Sequence, residues 1–406
     1  MRIAVFSDSF YPELGGIQDS ILATCRALGE RGHQLTIVAP RAARNDFRLS
    51  RVPVREIDLG ANVRVLRRAS LRVPSSTGQS RLLIPTGRCW RALADFRPEL
   101  IHAHTFLGAG FEARVAARKL RLPLVGTNHW AVDAFSDYVP LPSAWVKQAS
   151  LKAVAAFYNH CRLVTGPSQS VLDAMQEHGL ARPTHVISNP IDTARFTPAE
   201  TAERQTLKAR WDFGGATVVY AGRLAREKNI DVLIRALPRI AASQPDVELV
   251  LAGHGQEEAA LRLLAASLGV SGRVRFLGTL DKAALAQVFQ AAELFALAST
   301  SETQSMVTLQ AMSSGLPAVV ARSLALPEYV DDQCGRLATP QDDGDFARQI
   351  SALLADPALR LRLGEDAARR ARRYALDDIV SRWEAAYAEA ACPAPRFDSH
   401  PQGVQP

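Results

Sequence analysis

The chain has 406 residues, of which 47% are hydrophobic and 22% are charged, and its formal net charge is +7. A chain of this length exceeds the size at which one hydrophobic core keeps growing, so two domains are expected. The composition is that of a globular protein and excludes a fibre or a disordered chain. No apolar run reaches the roughly 18 to 20 residues that cross a bilayer.

The chain begins with MRIAVFSDSF, in which serine and acid stand where a signal peptide would stay apolar. This segment is therefore predicted to be a first strand. The cysteines show no C-x-x-C pair and no metal-ligand spacing, which suits core residues in a reducing cytoplasm. They are Cys25, Cys89, Cys161, Cys334 and Cys392. A cytoplasmic protein is expected.

Residues 41 to 100 carry the excess of positive charge. Thirteen arginines stand against five acidic residues there, which gives this segment alone a charge of +8. With Leu82, Leu83, Ile84 and Trp90 close by, the basic face could dock on an anionic membrane. A solvated arginine-rich surface without a partner is the alternative. No nucleic-acid-binding module is recognised, so a nucleic acid partner is not expected.

The first half of the chain alternates strand-like runs with helical patterns. RIAVFS, QLTIVA, LIHAH, PLVGT, RLVTG and THVIS are typical of strands, and a helix is predicted from about Gly16 to Arg31. Repeated βα units of this kind predict a parallel sheet with helices on both faces. Residues 1–194 are thus predicted to form one Rossmann-like domain.

A polar stretch, TPAETAERQTLKARWDFGG, then interrupts the pattern and marks a linker near residues 193 to 214. The strand pattern restarts with TVVYA, VELVLA, VRFLG, ELFALA and PAVVA, so residues 195–375 are predicted to form a second Rossmann-like domain. An amphipathic helix at 376–392 is expected to cross back onto the first domain, and the tail at 393–406 to be disordered. The predicted fold is α/β, with a ligand cleft between the carboxyl ends of two doubly wound sheets.

Glycines mark two loops at this predicted cleft. Gly15 and Gly16 join the first strand to the first helix, where backbone N–H groups could approach a phosphate or a sugar hydroxyl. A tight turn without a ligand is the alternative. Gly253 follows the strand VELVLA in the sequence GHG, which alone is a weak nucleotide signal because the third glycine is absent.

Two cations follow the strand TVVYA. Arg223 and Lys228 lie at the beginning of a predicted helix, where the helix dipole disfavours positive charge, so an anion is expected between them. A diphosphate fits this place, because Arg can fork to its oxygens and Lys can act as a point charge. A surface pair with Glu227 is the alternative.

The stretch TSETQSMVTLQAM follows the strand ELFALA. Its turn would present Glu302 to the cleft, and the N–H groups of Ser305, Met306 and Val307 would begin a helix that points at the ligand. Gln310, about two turns into this helix, could hold a ribose diol because an amide both donates and accepts. Helix capping by Glu302 and a surface position for Gln310 are the alternatives.

His104 and His129 end the strands IHAHT and GTNHW, so both are expected at the cleft edge. A neutral histidine there can hold a hydroxyl or receive a proton, although turn residues without a ligand are the alternative. The pair lacks a carboxylate or cysteine at ligand spacing, so no metal is expected. The acidic run QDDGDF, at 341 to 346, precedes a helix and is predicted to cap it.

Taken together, these motifs resemble the retaining nucleotide-sugar glycosyltransferases of GT-B fold, glycosyltransferase family 4. The resemblance covers nearly the whole chain, from PELGGIQ and GTNHW through GPSQSVLD, SNPIDTARF and AGRLAREKNIDVLI to LAGHGQEEAAL, VRFLGTL and SETQSMVTLQAMSSGLPAVV. It implies an N-terminal acceptor domain, a C-terminal domain for a UDP- or GDP-linked sugar, and transfer of a hexose with retention and without a metal or other cofactor.

The resemblance also implies roles for single residues. His129 would lie near the reacting centre, Arg223 and Lys228 at the diphosphate, and Glu302 at the donor sugar. Donor contacts are expected from Gly15, Gly16, Gly253, Ser305, Met306, Val307 and Gln310. The family usually has glutamate at position 310, so the glutamine predicts weaker nucleotide binding with activity retained.

The acceptor is expected to be a membrane lipid or a surface polysaccharide precursor. SETQ followed by an aliphatic run is similar to bacterial glycolipid synthases of this family, and the basic first domain agrees with a position on the inner face of a membrane. A nucleotide-sugar epimerase or a phosphorylase of the same fold, and a non-catalytic sugar-nucleotide-binding protein, are the alternatives.

Overall fold

A computed structural model describes residues 1–13, 15–50, 52–73, 79–129 and 144–392. The strands of the first half are β1 (Arg2–Phe6), β2 (Gln34–Pro40), β3 (Val63–Arg68), β4 (Ser70–Arg72), β5 (Arg81–Leu83), β6 (Leu100–Ala103), β7 (Leu124–Thr127), β8 (Leu163–Gly166) and β9 (Thr184–Val186). Seven of them form a parallel sheet in the order β3-β2-β1-β6-β7-β8-β9, and β4 pairs with β5 in an antiparallel hairpin.

The helices of the first half cover both faces of this sheet. They are α1 (Gly16–Glu30), α2 (Arg44–Leu49), α3 (Gly108–Leu120), α4 (Ala144–Tyr158) and α5 (Gln169–Glu177). The short strands β6, β7 and β8 are buried along their whole length, as expected for parallel strands between two helical layers. The strand order reverses between β1 and β6, which leaves a crevice beyond their carboxyl ends.

The second half repeats this architecture. Its strands are β10 (Thr217–Ala221), β11 (Glu248–Ala252), β12 (Val274–Gly278), β13 (Leu294–Leu297), β14 (Ala318–Ala321) and β15 (Gly335–Ala338). They pair in parallel in the order β12-β11-β10-β13-β14-β15, so the order reverses between β10 and β13. The expectation of an α/β fold with two Rossmann-like sheets is confirmed.

The remaining helices surround the second sheet and return to the first. They are α6 (Thr201–Trp211), α7 (Ile230–Ser243), α8 (Glu258–Ser267), α9 (Lys282–Ala291), α10 (Met306–Ser313), α11 (Leu326–Tyr329), α12 (Asp343–Ala355), α13 (Pro357–Ala371) and α14 (Leu376–Ala391). In the part of the chain that the structure describes, no helix combines the length and apolar character needed to cross a membrane.

Helix α14 packs on the first sheet, although it follows the second one in the chain. Its side chains Trp383 and Tyr387 are buried in the core that α1 forms with β1 and β2. Arg31, just after α1, reaches the carboxylates of Asp377 at 3.2 Å and Glu384 at 2.7 Å. The last helix therefore connects the second half of the chain to the first sheet, on the face that α1 covers.

Several local predictions are confirmed. The first strand occupies Arg2–Phe6, and four of the cysteines are buried while Cys392 is exposed. Asp342 is the N-cap of α12, and its side chain accepts a hydrogen bond from the N–H of Asp345, so QDDGDF caps a helix. The boundary near residue 194 stays a prediction, and the tail at 393–406 lies outside the described residues.

Candidate functional site

A cavity of about 260 Å³ lies where loops from the two sheets meet. The first half contributes Gly16, Ile17, His129 and Asn189. The second half contributes Tyr220, Ala221, Gly222, Arg223, Lys228, Leu297, Glu302, Thr303, Gln304, Met306 and Val307. Most of these residues follow the carboxyl end of a strand, so the cavity occupies the crevice that the two strand orders create.

The glycine loop reaches the cavity through Gly16. A Cβ atom added to Gly16 would lie 2.9 Å from the sulfur of Met306, so glycine allows the beginnings of α1 and α10 to approach each other. Gly15 precedes α1 as its N-cap but is not among the lining residues. Of the two glycines expected to contact a ligand, Gly16 therefore lines the cavity and Gly15 does not.

The two predicted cations both line the cavity, and each has an acidic partner. Arg223 lies 3.0 Å from Glu227, and Lys228 lies 2.6 Å from Glu302. The hydroxyl of Tyr220 donates to the backbone oxygen of Arg223 at 2.7 Å, which holds the loop in place. Positive charge therefore faces the cavity but is balanced by carboxylates.

Gly253 supports this loop from the neighbouring strand. A Cβ atom at position 253 would lie 1.8 Å from the backbone oxygen of Gly222, and its φ of +156° lies in the region that favours glycine. Gly253 is not among the residues that line the cavity. Its observed role is to let the loops after β10 and β11 pack together, and its contact with a donor stays a prediction.

The turn after β13 makes contacts through three consecutive side chains, two of which reach the first half of the chain. Besides the pair between Glu302 and Lys228, the hydroxyl of Thr303 donates to the backbone oxygen of His129 at 3.2 Å. The Gln304 side-chain oxygen accepts from the N–H and the amide of Asn189, at 2.6 and 2.7 Å, and its amide donates back at 2.9 Å. Sequence reasoning missed Thr303, Gln304 and Asn189.

Helix α10 begins where the sequence predicts. Ser305 is its N-cap, and the side-chain oxygen accepts from the Thr308 N–H. Met306 and Val307 line the cavity, whereas Ser305 is 1% exposed and does not. The predicted depth of Gln310 is wrong: because the helix begins at Met306, Gln310 lies about one turn from its start, half-buried and not among the lining residues.

His104 and His129 are both buried and in direct contact. Nδ1 of His104 lies 3.0 Å from Nε2 of His129, and the two rings are nearly parallel. Burial lowers the pKa of His129 to about 4 and that of His104 well below its ordinary value. Both rings are therefore neutral near pH 7. Nδ1 of His129 is buried without a hydrogen-bond partner among the described residues.

A third histidine, His102, packs against His104 of this pair. His102 has its Nδ1 at 2.9 Å from the hydroxyl of Tyr387 and its Nε2 at 2.7 Å from the hydroxyl of Thr127. Its ring centre is 4.8 Å from that of Trp383. Helix α14 thus packs directly against the histidine cluster of the first sheet.

Glu328 holds the two halves together at a second place. Its carboxylate accepts from the N–H groups of Gln169 at 2.8 Å and Ser170 at 2.9 Å. These groups form the first turn of α5, where the helix dipole favours a negative charge. Tyr329 adds a hydrogen bond from its hydroxyl to the backbone oxygen of Pro167.

Over the described ranges of the chain, no three histidine, cysteine, aspartate or glutamate side chains are grouped as metal ligands would be. The acidic residues near the cavity instead pair with Arg223 and Lys228.

Comparison with known proteins decides the family. Residues 14–195 match Glycosyltransferase Family 4, and residues 203–370 match Glycosyl transferases group 1. A D-inositol 3-phosphate glycosyltransferase of Acidothermus cellulolyticus is 30% identical over 391 residues, which cover 91% of this chain and 84% of that protein. The chain belongs to glycosyltransferase family 4. The glycosyltransferase expected from the sequence is confirmed.

Two further proteins resemble this family 4 glycosyltransferase over most of its length. An alpha-monoglucosyldiacylglycerol synthase of Streptococcus pneumoniae is 24% identical over 402 residues, covering 94% of this chain and 87% of that protein. A crystal structure of Anabaena HepE in complex with UDP and glucose superimposes with a TM-score of 0.73 at 22% identity, covering 96% of this chain and all of that one. This structural likeness confirms the GT-B fold.

The buried histidines of this glycosyltransferase make its stability depend on pH. Burial holds the pKa of His102 at about 3 and of His129 at about 4, below the 6.5 of an unfolded histidine. Between pH 6.5 and 4 the unfolded chain binds protons that the folded chain does not. The free energy of unfolding should therefore fall as pH falls, by up to about 1.4 kcal/mol per pH unit for each histidine.

Urea denaturation at pH 7, 6 and 5 measures this dependence. His129→Asn should make this dependence shallower, because it removes one of the buried neutral rings. An equal pH dependence for the wild type and His129→Asn would contradict a buried, neutral His129.

Proposed function

We propose that this chain is a retaining, metal-independent hexosyltransferase that takes a UDP- or GDP-linked sugar and transfers the hexose to an acceptor hydroxyl. The observation that carries the proposal is the convergence of Arg223, Lys228, Glu302 and His129 on one cavity between two Rossmann-like sheets. HepE, whose fold is similar, was crystallised with UDP and glucose.

The diphosphate of the donor would bind between Arg223 and Lys228. An Arg fork and a Lys point charge can share its oxygens. As the bond from the sugar C1 to the phosphate oxygen breaks, negative charge grows on the diphosphate, and both cations would stabilise it. Lys228 is held toward the cavity by Glu302.

The sugar would lie between Glu302 and His129. Glu302 can accept hydrogen bonds from sugar hydroxyls, and Nδ1 of His129 needs a partner because an unpaired buried polar atom is costly. The acceptor oxygen would attack C1 from the face that the nucleotide leaves, forming the new C1–O bond. The departing phosphate oxygen would take the proton of the acceptor hydroxyl, which balances the reaction without another base.

A membrane lipid is the proposed acceptor, and the relative named alpha-monoglucosyldiacylglycerol synthase supports it. Of the apolar residues expected to accompany the basic face, Leu83 is buried, so the expectation is wrong for this residue, while Trp90 is partly buried against the core. The reason is that β5 and the short 3-10 helix at Cys89–Leu93 pack against α3.

Other apolar side chains are exposed in the same segment. Leu49 on α2 is 46% exposed and Leu71 on β4 is 62% exposed. Arg44 and Arg48, also on α2, are exposed beside them, and buried Asp46 binds α2 to Arg81 of the β4–β5 hairpin. This basic surface combines cations and apolar groups, as membrane-surface sites do. A polysaccharide precursor is the alternative acceptor.

Lys228→Ala should lower turnover by about 100-fold or more, since the variant loses a charge that would stabilise the leaving diphosphate. Turnover is measured as nucleoside diphosphate release from UDP- and GDP-linked hexoses, with and without lipid acceptor. Arg226→Ala removes an exposed cation two residues away and should keep near-normal turnover. Near-normal turnover in Lys228→Ala would contradict the role of Lys228. A product of inverted anomeric configuration would contradict retention.

Gln310→Glu should bind the nucleotide about fivefold more tightly, because a hydrogen bond from a ribose hydroxyl to a carboxylate is stronger than one to an amide. Calorimetric titration with UDP, GDP and ADP measures this difference. Gln333→Glu adds the same charge at an exposed position before β15, at the edge of the sheet opposite the cavity, and should not change the affinity. If Gln310→Glu bound the nucleotide no more tightly than the wild type, this would contradict a contact between Gln310 and the ribose.

Flotation with vesicles tests the basic surface. The wild type should bind vesicles that contain anionic lipid and not neutral ones. Reversal of two charges, in Arg44→Glu with Arg48→Glu, should weaken binding at least about tenfold, since each basic residue near the surface contributes about 1 kcal/mol. The pair Arg362→Glu with Arg373→Glu makes the same change at exposed positions of the other half. Equal binding by both double variants would contradict this surface.

A further inference from the structure

His104 contacts His129 through a single ring nitrogen, yet none of the roles described above requires it. It is 7% exposed, and its own backbone N–H donates to the backbone oxygen of Phe6 at 2.9 Å. The ring centre of His102 lies 4.0 Å away, and Trp383 of α14 packs at 6.4 Å. The sheet and α14 therefore hold the ring of His104 in one position.

This arrangement constrains His129. Its backbone oxygen accepts from Thr303 and its Nε2 is bonded to Nδ1 of His104, whereas its side-chain Nδ1 lacks a partner among the described residues. A neutral imidazole has one N–H and one lone pair. Whichever role Nε2 takes toward His104, Nδ1 takes the opposite role toward the cavity. The partner of one nitrogen thus decides what the other can offer.

We propose that His104 is a positioning residue, which fixes the tautomer and the ring orientation of His129 so that Nδ1 of His129 meets a hydroxyl of the donor sugar. The proposal rests on the proposed function. It assigns His104 no contact with the substrate: His104 acts through the 3.0 Å bond from its Nδ1.

The two amide replacements of His104 distinguish positioning from space filling. Asparagine places a polar group near the position of Nδ1, whereas glutamine places it near Nε2. Both are neutral and both fill part of the same buried space. If His104 acts through Nδ1, asparagine should restore the bond to His129 and glutamine should not. A purely structural role predicts similar effects for both.

Nitrogen-15 NMR of histidine-labelled protein reads the tautomer directly. At pH 7.5, the ring signals of His129, assigned with His129→Gln, should show one neutral tautomer in the wild type and in His104→Asn. In His104→Gln they should show a mixture or a reversal. The control His254→Asn changes an exposed histidine in the other half of the chain, and should leave these signals unchanged. Unchanged His129 signals in His104→Gln would overturn the proposal.

Turnover gives the second measurement. In His104→Gln, kcat should fall about 10- to 100-fold, by analogy with the loss seen when the hydrogen-bond partner that orients a metal-bound histidine is removed, while His104→Asn should remain within about threefold of the wild type. Affinity for the nucleotide alone should be unchanged in both variants, because His129 would contact the sugar. Equal kcat in the two variants, or a loss confined to nucleotide affinity, would overturn the proposal.

The two failures are distinguishable. If the wild type releases no nucleotide from any nucleotide sugar, the proposed function fails, while the NMR comparison still shows whether His104 sets the tautomer of His129. If the wild type is active and the NMR signals or kcat values do not separate asparagine from glutamine, the positioning role fails and the proposed function stands.

Discussion

The turn after β13 is the feature on which the site depends. Glu302, Thr303 and Gln304 are consecutive, yet each binds a different part of the protein: Lys228, the backbone of His129, and Asn189. Two of these partners belong to the first half of the chain. The three hydrogen bonds between Gln304 and Asn189 are largely shielded from water, since both residues are 8% exposed. Removing either partner would leave buried polar groups unpaired, which costs about 1–3 kcal/mol for each group.

The charged side chains that line the cavity leave positive groups in place for an anion that binds from solution. Lys228 and Glu302 are 16% and 11% exposed, so neither is freely solvated and each depends on the other. A diphosphate between Arg223 and Lys228 would give these cations further partners without requiring the existing pairs to break. The cluster of His102, His104 and His129 contributes uncharged hydrogen-bonding groups instead, because burial keeps these rings neutral near pH 7. Charge would thus lie at the diphosphate and neutral hydrogen bonding at the sugar.

Much of this arrangement could be predicted from local sequence. Alternating apolar runs and helical patterns indicate two parallel sheets, and residues just after strands in such sheets meet at one edge. That rule places Arg223, Lys228 and Glu302 at one edge of the second sheet, and His129 at the corresponding edge of the first, without any distance information. Helix boundaries are harder: the side chain of Ser305 caps α10, so the helix begins at Met306 and Gln310 lies about one turn from its start rather than two.

Other features depend on contacts between distant residues. Gln304 and Asn189 lie within motifs that the sequence singles out, but their pairing depends on how the two sheets face each other. The sequence around Gly253 predicts a contact with a ligand, whereas in the structure a Cβ atom at this position would meet the backbone of Gly222. The bond between His104 and His129 needs the alignment of β6 with β7, and local sequence carries no signal for it.

Binding of a nucleotide sugar in the cavity between the sheets is tested most directly by the melting temperature of the purified chain with UDP, GDP, ADP and their hexose conjugates. A ligand that binds only the folded state raises the melting temperature. We expect a clear rise with one nucleotide and its conjugates, and a smaller rise with the others. An unchanged melting temperature with every compound at millimolar concentration would contradict this binding.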